Sequence, residues 1–460
     1  MNAPPRMVAR GGMPMPRAAP RHAPGGPLGL LFGLIVWLML CMMVVPGDLN
    51  YSAMEARHNV GDPVTRSFWL AFLGLSLLVM AMRSSQVIQL LRGTNRWYLA
   101  FVLLAVLSLA WSADSSVTIA RIIRLLTMTI VSIAFATVAW NPRRFQNVVR
   151  WGMTLLLVGC IVFVIMSPEL AVHQENQPEL LGAWHGLATQ KNGLGAVAAV
   201  AAVMWMQAWL ARDVRAPSAL IGLGVAWTCL VNSRSSTSLV SALIASLFLF
   251  TLLRTPAMLR RYMKWYVAAL AIMVIGYTLE VLRIVPGIGL LLAPVSLLTG
   301  KDSNFTARAD IWDLIEDHIK LHPLTGTGYG AYWVGPDPAS DSFIFLQKMY
   351  GFYPGSSHNG YLDVTNDLGM LGLACLVGYL IYYLRDSLRL LMVDRPQGTL
   401  FLALFLQQAF ANLSESHWFQ VTSFNFVVMT LGTFCLARAL VEARRGRQTP
   451  IVFQRRSASG

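Results

Sequence analysis

Long uncharged apolar runs alternate with short polar segments along most of this chain, and the runs are too long for half-buried helices of a water-soluble core. A helix crossing hydrocarbon needs roughly 17 to 25 apolar residues, because only an internally bonded backbone is tolerated there. The clearest run is Leu28 to Val45, LGLLFGLIVWLMLCMMVV, bracketed by Pro27 and Pro46. Eleven more follow, near Ser67 to Met82, Trp97 to Trp111, Leu125 to Trp140, Trp151 to Met166, Gly193 to Ala211, Ala216 to Val231, Ser236 to Leu253, Trp265 to Leu282, Leu368 to Leu384, Thr399 to Leu413 and Thr422 to Ala437. The pattern predicts an all-α polytopic membrane protein with about 12 transmembrane helices.

Composition agrees: 55% of the 460 residues are hydrophobic and 13% are charged. Charge adds orientation, since short basic segments stay on the cytoplasmic side. Alternate connections and both tails carry 25 of the 36 Lys and Arg residues but only four of the 22 acids, namely Asp213, Asp386, Asp394 and Glu442. The formal charge of +14 is therefore a topology signal, and it argues for no nucleic-acid partner.

This places both termini in the cytoplasm. Residues 1–26, rich in Pro, Gly and Arg, read as a disordered cytoplasmic tail, and the long apolar core after them argues against a cleaved signal peptide. Residues 27–282 then hold helices 1–9, 283–367 form a large periplasmic loop, 368–437 hold helices 10–12, and 438–460 form a basic cytoplasmic tail. Cys41, Cys160, Cys229, Cys375 and Cys435 all fall within predicted spans, so neither disulfides nor a zinc site is expected.

The outward segments carry the candidate chemistry. Within the long loop, TARADIWDLIEDHIKLHP has Ile311, Leu314, Ile315 and Ile319 at helical spacing and Pro323 as a stop, so it predicts a short amphipathic helix. The following GTGYGAYW lacks the flanking strand and helix of a phosphate-binding loop and reads as a plain turn. A second outward loop, Ser167 to Asn192, holds His173, His185 and Lys191. Arg121 and Arg124 are expected to snorkel to lipid headgroups. Arg234 differs, because it stands among Ser233, Ser235 and Ser236 at the start of a helix, where a guanidinium and free backbone donors suit a phosphate. His358, in YPGSSHNGYLDVTNDLGMLGL, sits at the outer mouth, where it could take a proton from a sugar hydroxyl with Asp363 or Asp367 to orient it.

Five stretches together resemble the O-antigen ligase and polymerase superfamily, and most closely its exopolysaccharide polymerases of the ExoQ type. They are GAWHGLATQKNGLG at 182–195, SRSSTSLV at 233–240, TGKDSNFTARADIWDLIEDHIKLHPLTGTGYGAYW at 299–333, SSHNGYLDVTNDLGMLGL at 356–373 and NLSESHWF at 412–419. Their order, spacing and common face carry the likeness. Two departures stand out: Gln190 replaces the usual His before Lys191-Asn192, and Gly300-Lys301-Asp302 with Phe305-Thr306-Ala307-Arg308 replaces the usual Gly-Arg-Asp and Leu-Thr-Gly-Arg.

The resemblance implies a GT-C-like glycosyltransferase of the bacterial inner membrane. It would use a glycan on undecaprenyl diphosphate as donor and need no cofactor and no metal. Arg234 and Arg308 match the two arginines that hold the diphosphate, Lys191 is a third contact, and His358 matches the base. The acceptor would be another lipid-linked repeat unit for a polymerase, or lipid A core for a ligase. Chain-length control or export machinery would be the protein partner. A transporter or flippase is the alternative from another class, but the two halves of the chain are dissimilar and mid-membrane charges are lacking.

Overall fold

The computed structural model describes residues 26–46, 63–138, 143–175, 180–254, single positions 262, 265, 269 and 272, and then 306–335, 337–349, 351 and 353–448. The predicted run from Trp265 to Leu282 and the first part of the long loop, 283–305, lie outside these residues apart from three single positions of the run. Every regular element described is a helix, with one isolated bridge joining Val172 to Trp184.

The helices are α1 (Gly26–Met42), α2 (Pro63–Met82), α3 (Ser84–Gly93), α4 (Arg96–Leu107), α5 (Ser115–Thr137), α6 (Arg144–Met166), α7 (Pro168–Ala171), α8 (Lys191–Leu210), α9 (Ala216–Asn232), α10 (Ser236–Arg254), α11 (Thr306–Leu321), α12 (Ile344–Lys348), α13 (Gly360–Leu391), α14 (Arg395–Ala411) and α15 (Phe424–Gln448). Six of the described helices, α5, α6, α8, α10, α13 and α15, are long and apolar enough to cross a membrane. The pair α2 and α3, bent by 99°, would make a seventh span if counted as one. Apolar helices at Gly26–Met42, Arg96–Ala110 and Ala216–Asn232 are shorter. The protein is thus an all-helical, multi-pass membrane protein.

Helix α8 runs through the middle, buried along nearly its whole length and packed against α6, α9, α10 and α14. Its alanines at 196, 198, 199, 201 and 202 let neighbouring backbones close in, which is how helices associate where lipid removes the hydrophobic drive. Where α8 carries the large Trp205, α9 carries Gly222. A Cβ there would stand 2.1 Å from the indole, so glycine makes the seat. The indole nitrogen then donates to Thr154 Oγ1 on α6 at 2.8 Å. Near the site end, Gly195 plays the same part, since a Cβ would come within 2.7 Å of Ser235 Cβ and 2.9 Å of Ser238 Oγ.

Two sequence expectations shift. Helix α5 starts at Ser115, capped by Asp114, whose carboxylate accepts from the backbone N–H groups of Ser116 and Val117, so Arg121 and Arg124 lie inside the helix. Arg121 does not reach for headgroups: its Nη2 donates to the Trp333 carbonyl at 2.7 Å, which pins GTGYGAYW to α5. Helix α13 begins at Gly360, ahead of the expected Leu368, and breaks at Gly369, which has φ 63° and ψ −162°.

That break is stitched to the loop after α11. The carbonyls of Asn366 and Asp367 accept from the N–H groups of Thr327 and Gly328, while the N–H groups of Met370 and Leu371 donate to the carbonyls of Pro323 and Leu324. Backbone groups released by the break thus find partners in protein, the condition for an interrupted helix at membrane depth. The amphipathic helix α11 forms as its periodicity predicts, with Ile311 and Ile315 buried, and it packs against α13.

The two ends of the bundle differ in charge. At one end, Arg83 donates to the Thr137 carbonyl, Arg144 to the carbonyls of Gly29 and Val138, Arg143 pairs with Asp213 at 2.7 Å, and Arg395 donates to the Leu252 carbonyl. At the other end lie the starts of α8, α10 and α13, the end of α14, and the segments that hold the candidate site.

Candidate functional site

The site forms where five segments meet: the start of α8, the turn between α9 and α10, the first turn of α11, the residues before α13, and the connection from α14 to α15. Each presents polar side chains for a local reason.

Arg234 is the residue after the C-cap of α9. The chain turns there in the left-handed region, φ 50°, a position that glycine usually fills. Ser233 Oγ donates to the Leu230 carbonyl and receives the Ser235 N–H, closing the turn. The exposed Arg234 guanidinium donates through Nη1 to the Leu181 carbonyl at 2.8 Å. Lys191 and Asn192 open α8.

His358 also has a positive φ, 53°. On its C-terminal side, Asn359 caps α13, its side-chain oxygen receiving the N–H groups of Tyr361 and Leu362. On the other side, Ser357 is held twice. Its N–H donates to Asp363 Oδ1 at 3.1 Å, and its carbonyl accepts from Trp312 Nε1 at 2.9 Å. Among the described residues only Arg212, Arg234, His358 and Phe419 are non-glycines with positive φ, and two of these are the residues picked for phosphate and proton transfer. Such backbone costs about 1 to 3 kcal/mol and persists where its surroundings impose it.

At the centre stands Glu415. Its Oε1 accepts from Asn192 Nδ2 at 2.8 Å and from Arg308 Nη2 at 3.3 Å, and its Oε2 lies 3.4 Å from His358 Nδ1. A second Arg308 nitrogen, Nη1, donates to the Ser414 carbonyl, and the Ser414 hydroxyl meets that of Thr237, one turn beyond Arg234, at 2.5 Å. Arg308 and His358 are thus brought together directly through one carboxylate. Arg234 and Lys191 join through residues three and one positions away.

The segment carrying Glu415 is clamped to the segment carrying His358. Gly360 N–H donates to the Asn412 carbonyl at 3.0 Å, and Asn412 Oδ1 receives the N–H groups of His417 and Trp418. Glycine is required at 360, because a Cβ would lie 2.1 Å from Asn412 Oδ1. Arg308 and His358 side chains are each 26% exposed and Glu415 14%, so the cluster is sheltered yet reachable.

Electrostatics follow from this packing. Burial pushes the Glu415 carboxyl up, but its hydrogen bond to His358 and the neighbouring His358, Arg308 and His417 outweigh that and hold it below the usual carboxylate range. His417 is pushed down to about 4 by burial, against the pull of Glu415. Its Nδ1 lies 2.9 Å from Ser423 Oγ.

Asp363 and Asp367 do not orient His358. Asp363 Oδ1 takes Trp333 Nε1 at 3.0 Å together with the Ser357 N–H, and Asp367 Oδ2 takes the Gly330 N–H at 3.0 Å. Sequence reasoning gives Glu415 no role. The signal that marks it is an acid in NLSESHWF, directly after an apolar run, at the end where the isolated cations gather. His173 and His185 stay apart from the cluster: their rings meet edge to face with centroids 4.8 Å apart, His173 pairs with Glu175, and His185 Nδ1 meets the Ala188 carbonyl. Among the described residues no three His, Cys, Asp or Glu side chains gather as a metal-ligand set.

Fold and site together define a multi-pass helical membrane protein with a sheltered cation, carboxylate and imidazole cluster at one end. The family model described as O-Antigen ligase matches residues 219–377, a stretch that includes Arg234, Arg308 and His358. The exopolysaccharide production protein ExoQ of Rhizobium meliloti (strain 1021) is 29% identical over 222 residues, covering 46% of this chain and 48% of that protein. The chain thus matches about half the length of that relative. Both similarities point to the O-antigen ligase and polymerase superfamily, on its ExoQ-like side.

Proposed function

We propose that this chain is a polysaccharide polymerase, a glycosyltransferase that moves a growing glycan from undecaprenyl diphosphate to a hydroxyl of a lipid-linked repeat unit. The observation that carries this reading is the Glu415 carboxylate, which joins a cation suited to phosphate, Arg308, to a base, His358, while Thr237 and Asn192 tie the segments of Arg234 and Lys191 to the same cluster. The likeness to ExoQ supports the substrate class.

Each group then has a task. Glu415 accepts a hydrogen bond from the Nδ1–H of His358, which holds the tautomer that leaves Nε2 free to accept the proton of the acceptor hydroxyl as that oxygen attacks the anomeric carbon. Base help of this kind contributes about 10²- to 10⁴-fold. The bond from the anomeric carbon to the diphosphate oxygen breaks as the new glycosidic bond forms. Negative charge grows on the diphosphate and is met by the Arg234 and Arg308 guanidinium groups, with Lys191 as a third contact. A single displacement inverts the anomeric centre.

The proposed topology has twelve spans, cytoplasmic termini and the site at the periplasmic face of the bacterial inner membrane. Arginines at the opposite end of the bundle support that orientation under the positive-inside rule. The matched family is described as O-Antigen ligase, which favours transfer to lipid A core as the second reading.

Replacing Arg234, Arg308 or His358 by Ala should leave an inserted protein that makes no polymer while lipid-linked repeat units accumulate. Long polymer from all three variants would sink the assignment. Supplying purified protein with lipid-linked repeat units alone separates the two acceptors: elongation marks a polymerase, and a requirement for lipid A core marks a ligase.

A further inference from the structure

The three groups on Glu415 are not held equally. The Asn192 amide sits 2.8 Å from Oε1, while Arg308 Nη2 is 3.3 Å from the same oxygen and His358 Nδ1 is 3.4 Å from Oε2. A guanidinium to carboxylate bond settles at about 2.7 to 2.9 Å when it is well made. The ion pair is therefore loose, and it shares an oxygen that a neutral donor already satisfies. If Arg308 Nη2 turns away, Asn192 still fills Oε1 and the carboxylate oxygen is not orphaned, which is the condition for an inexpensive exchange of partners.

The surrounding charges point the same way. Glu415 is faced by His358 from the segment before α13, by Arg308 from α11 and by His417 two residues further on, with Asp363 engaged behind Ser357 and Lys191 at the start of α8. Glu415 is the one acid that touches both Arg308 and His358 among the described residues.

We propose that Glu415 is a shared counter-ion, and that Arg308 gives it up when a lipid diphosphate arrives. The carboxylate is then left to His358 and Asn192, so the base is set in place only when the donor is bound. This positioning role rests on the donor reading above and adds an order of events to it. No covalent bond changes in the exchange. Arg308 trades a carboxylate for a phosphate oxygen, and Glu415 closes on the imidazole N–H.

The signature is opposite effects on binding and turnover. Removing the charge in Glu415→Gln releases Arg308, so farnesyl diphosphate, a short polyprenyl diphosphate, should bind about tenfold tighter to the purified full-length protein. Glycan transfer should fall on the order of 100-fold, because His358 loses its partner. A merely structural role would weaken both. Glu415→Asp should recover part of the turnover.

Tighter binding could also come from lost repulsion between Glu415 and the diphosphate, so the same change is made in an Arg308→Ala background. Partner exchange requires the gain to shrink there to less than about twofold. Equal tightening in both backgrounds, or none with Arg308 present, overturns the proposal. If Arg308→Ala alone leaves probe affinity unchanged, the donor reading of Arg308 fails first, and the exchange fails with it.

Discussion

At the level of single residues, the site is a set of side chains held by backbone that other residues would avoid. Arg234 and His358 both occupy left-handed conformations, and each is fixed by neighbours that use up the adjacent backbone groups. His417 shows what burial does beside them. It stands neutral against Glu415, and burial has pushed it down to about 4 from an ordinary value of 6.5. The unfolded chain therefore binds this proton more readily than the folded one. Stability from His417 is present in full above about pH 6.5 and is lost as pH falls toward 4, by up to about 3 kcal/mol. Thermal unfolding of the detergent-solubilised protein should shift to lower temperature across that window. In His417→Gln the shift should be smaller, and an unchanged pH slope would remove His417 as its cause.

At the level of elements, glycines decide how close the pieces come. Gly195 lets α8 meet the Arg234 turn, and Gly360 lets the His358 segment meet Asn412. Gly369 sets the break in α13 at a conformation closed to other residues, and a Cβ there would lie 2.2 Å from the Leu324 carbonyl carbon. Gly369→Ala should destabilise the protein by at least about 1 to 3 kcal/mol and disturb the α11 to α13 junction on which Arg308 and His358 are aligned. Limited proteolysis within 323–330 is the readout. Protection equal to that of the parent protein would show that the stitch does not depend on this glycine. Helix α11 itself was legible from its apolar spacing, whereas the early start of α13 and its break at Gly369 were not, because the polar DVTND ahead of Leu368 reads as loop until the segment that claims the backbone groups at the break is known.

For the whole molecule, the end holding Glu415 and the end holding Arg143, Arg144 and Arg395 lie on opposite sides of the helix bundle. If the proposed topology holds, a cysteine at Asp337 in a cysteine-free background should react with a membrane-impermeant maleimide in intact spheroplasts. One at Arg395 should react only after permeabilisation. The reverse pattern would place the site on the cytoplasmic face.

The sequence by itself determined that the chain is helical and membrane-embedded, since hydrocarbon demands long uncharged runs and these can be counted directly. It also singled out Arg234, Lys191 and His358, because isolated cations and a histidine beside apolar runs are conspicuous, while Arg308 came only from the resemblance to a known family. What only the tertiary structure decided is which groups meet. Glu415 lies 57 residues from His358 and 107 from Arg308 along the chain, too far for any local pattern to pair them. Asp363, much nearer to His358, turns out to hold Trp333 and the Ser357 backbone. Partner choice among buried polar groups depends on helix packing and on where the connections fold back, and neither is written in local spacing.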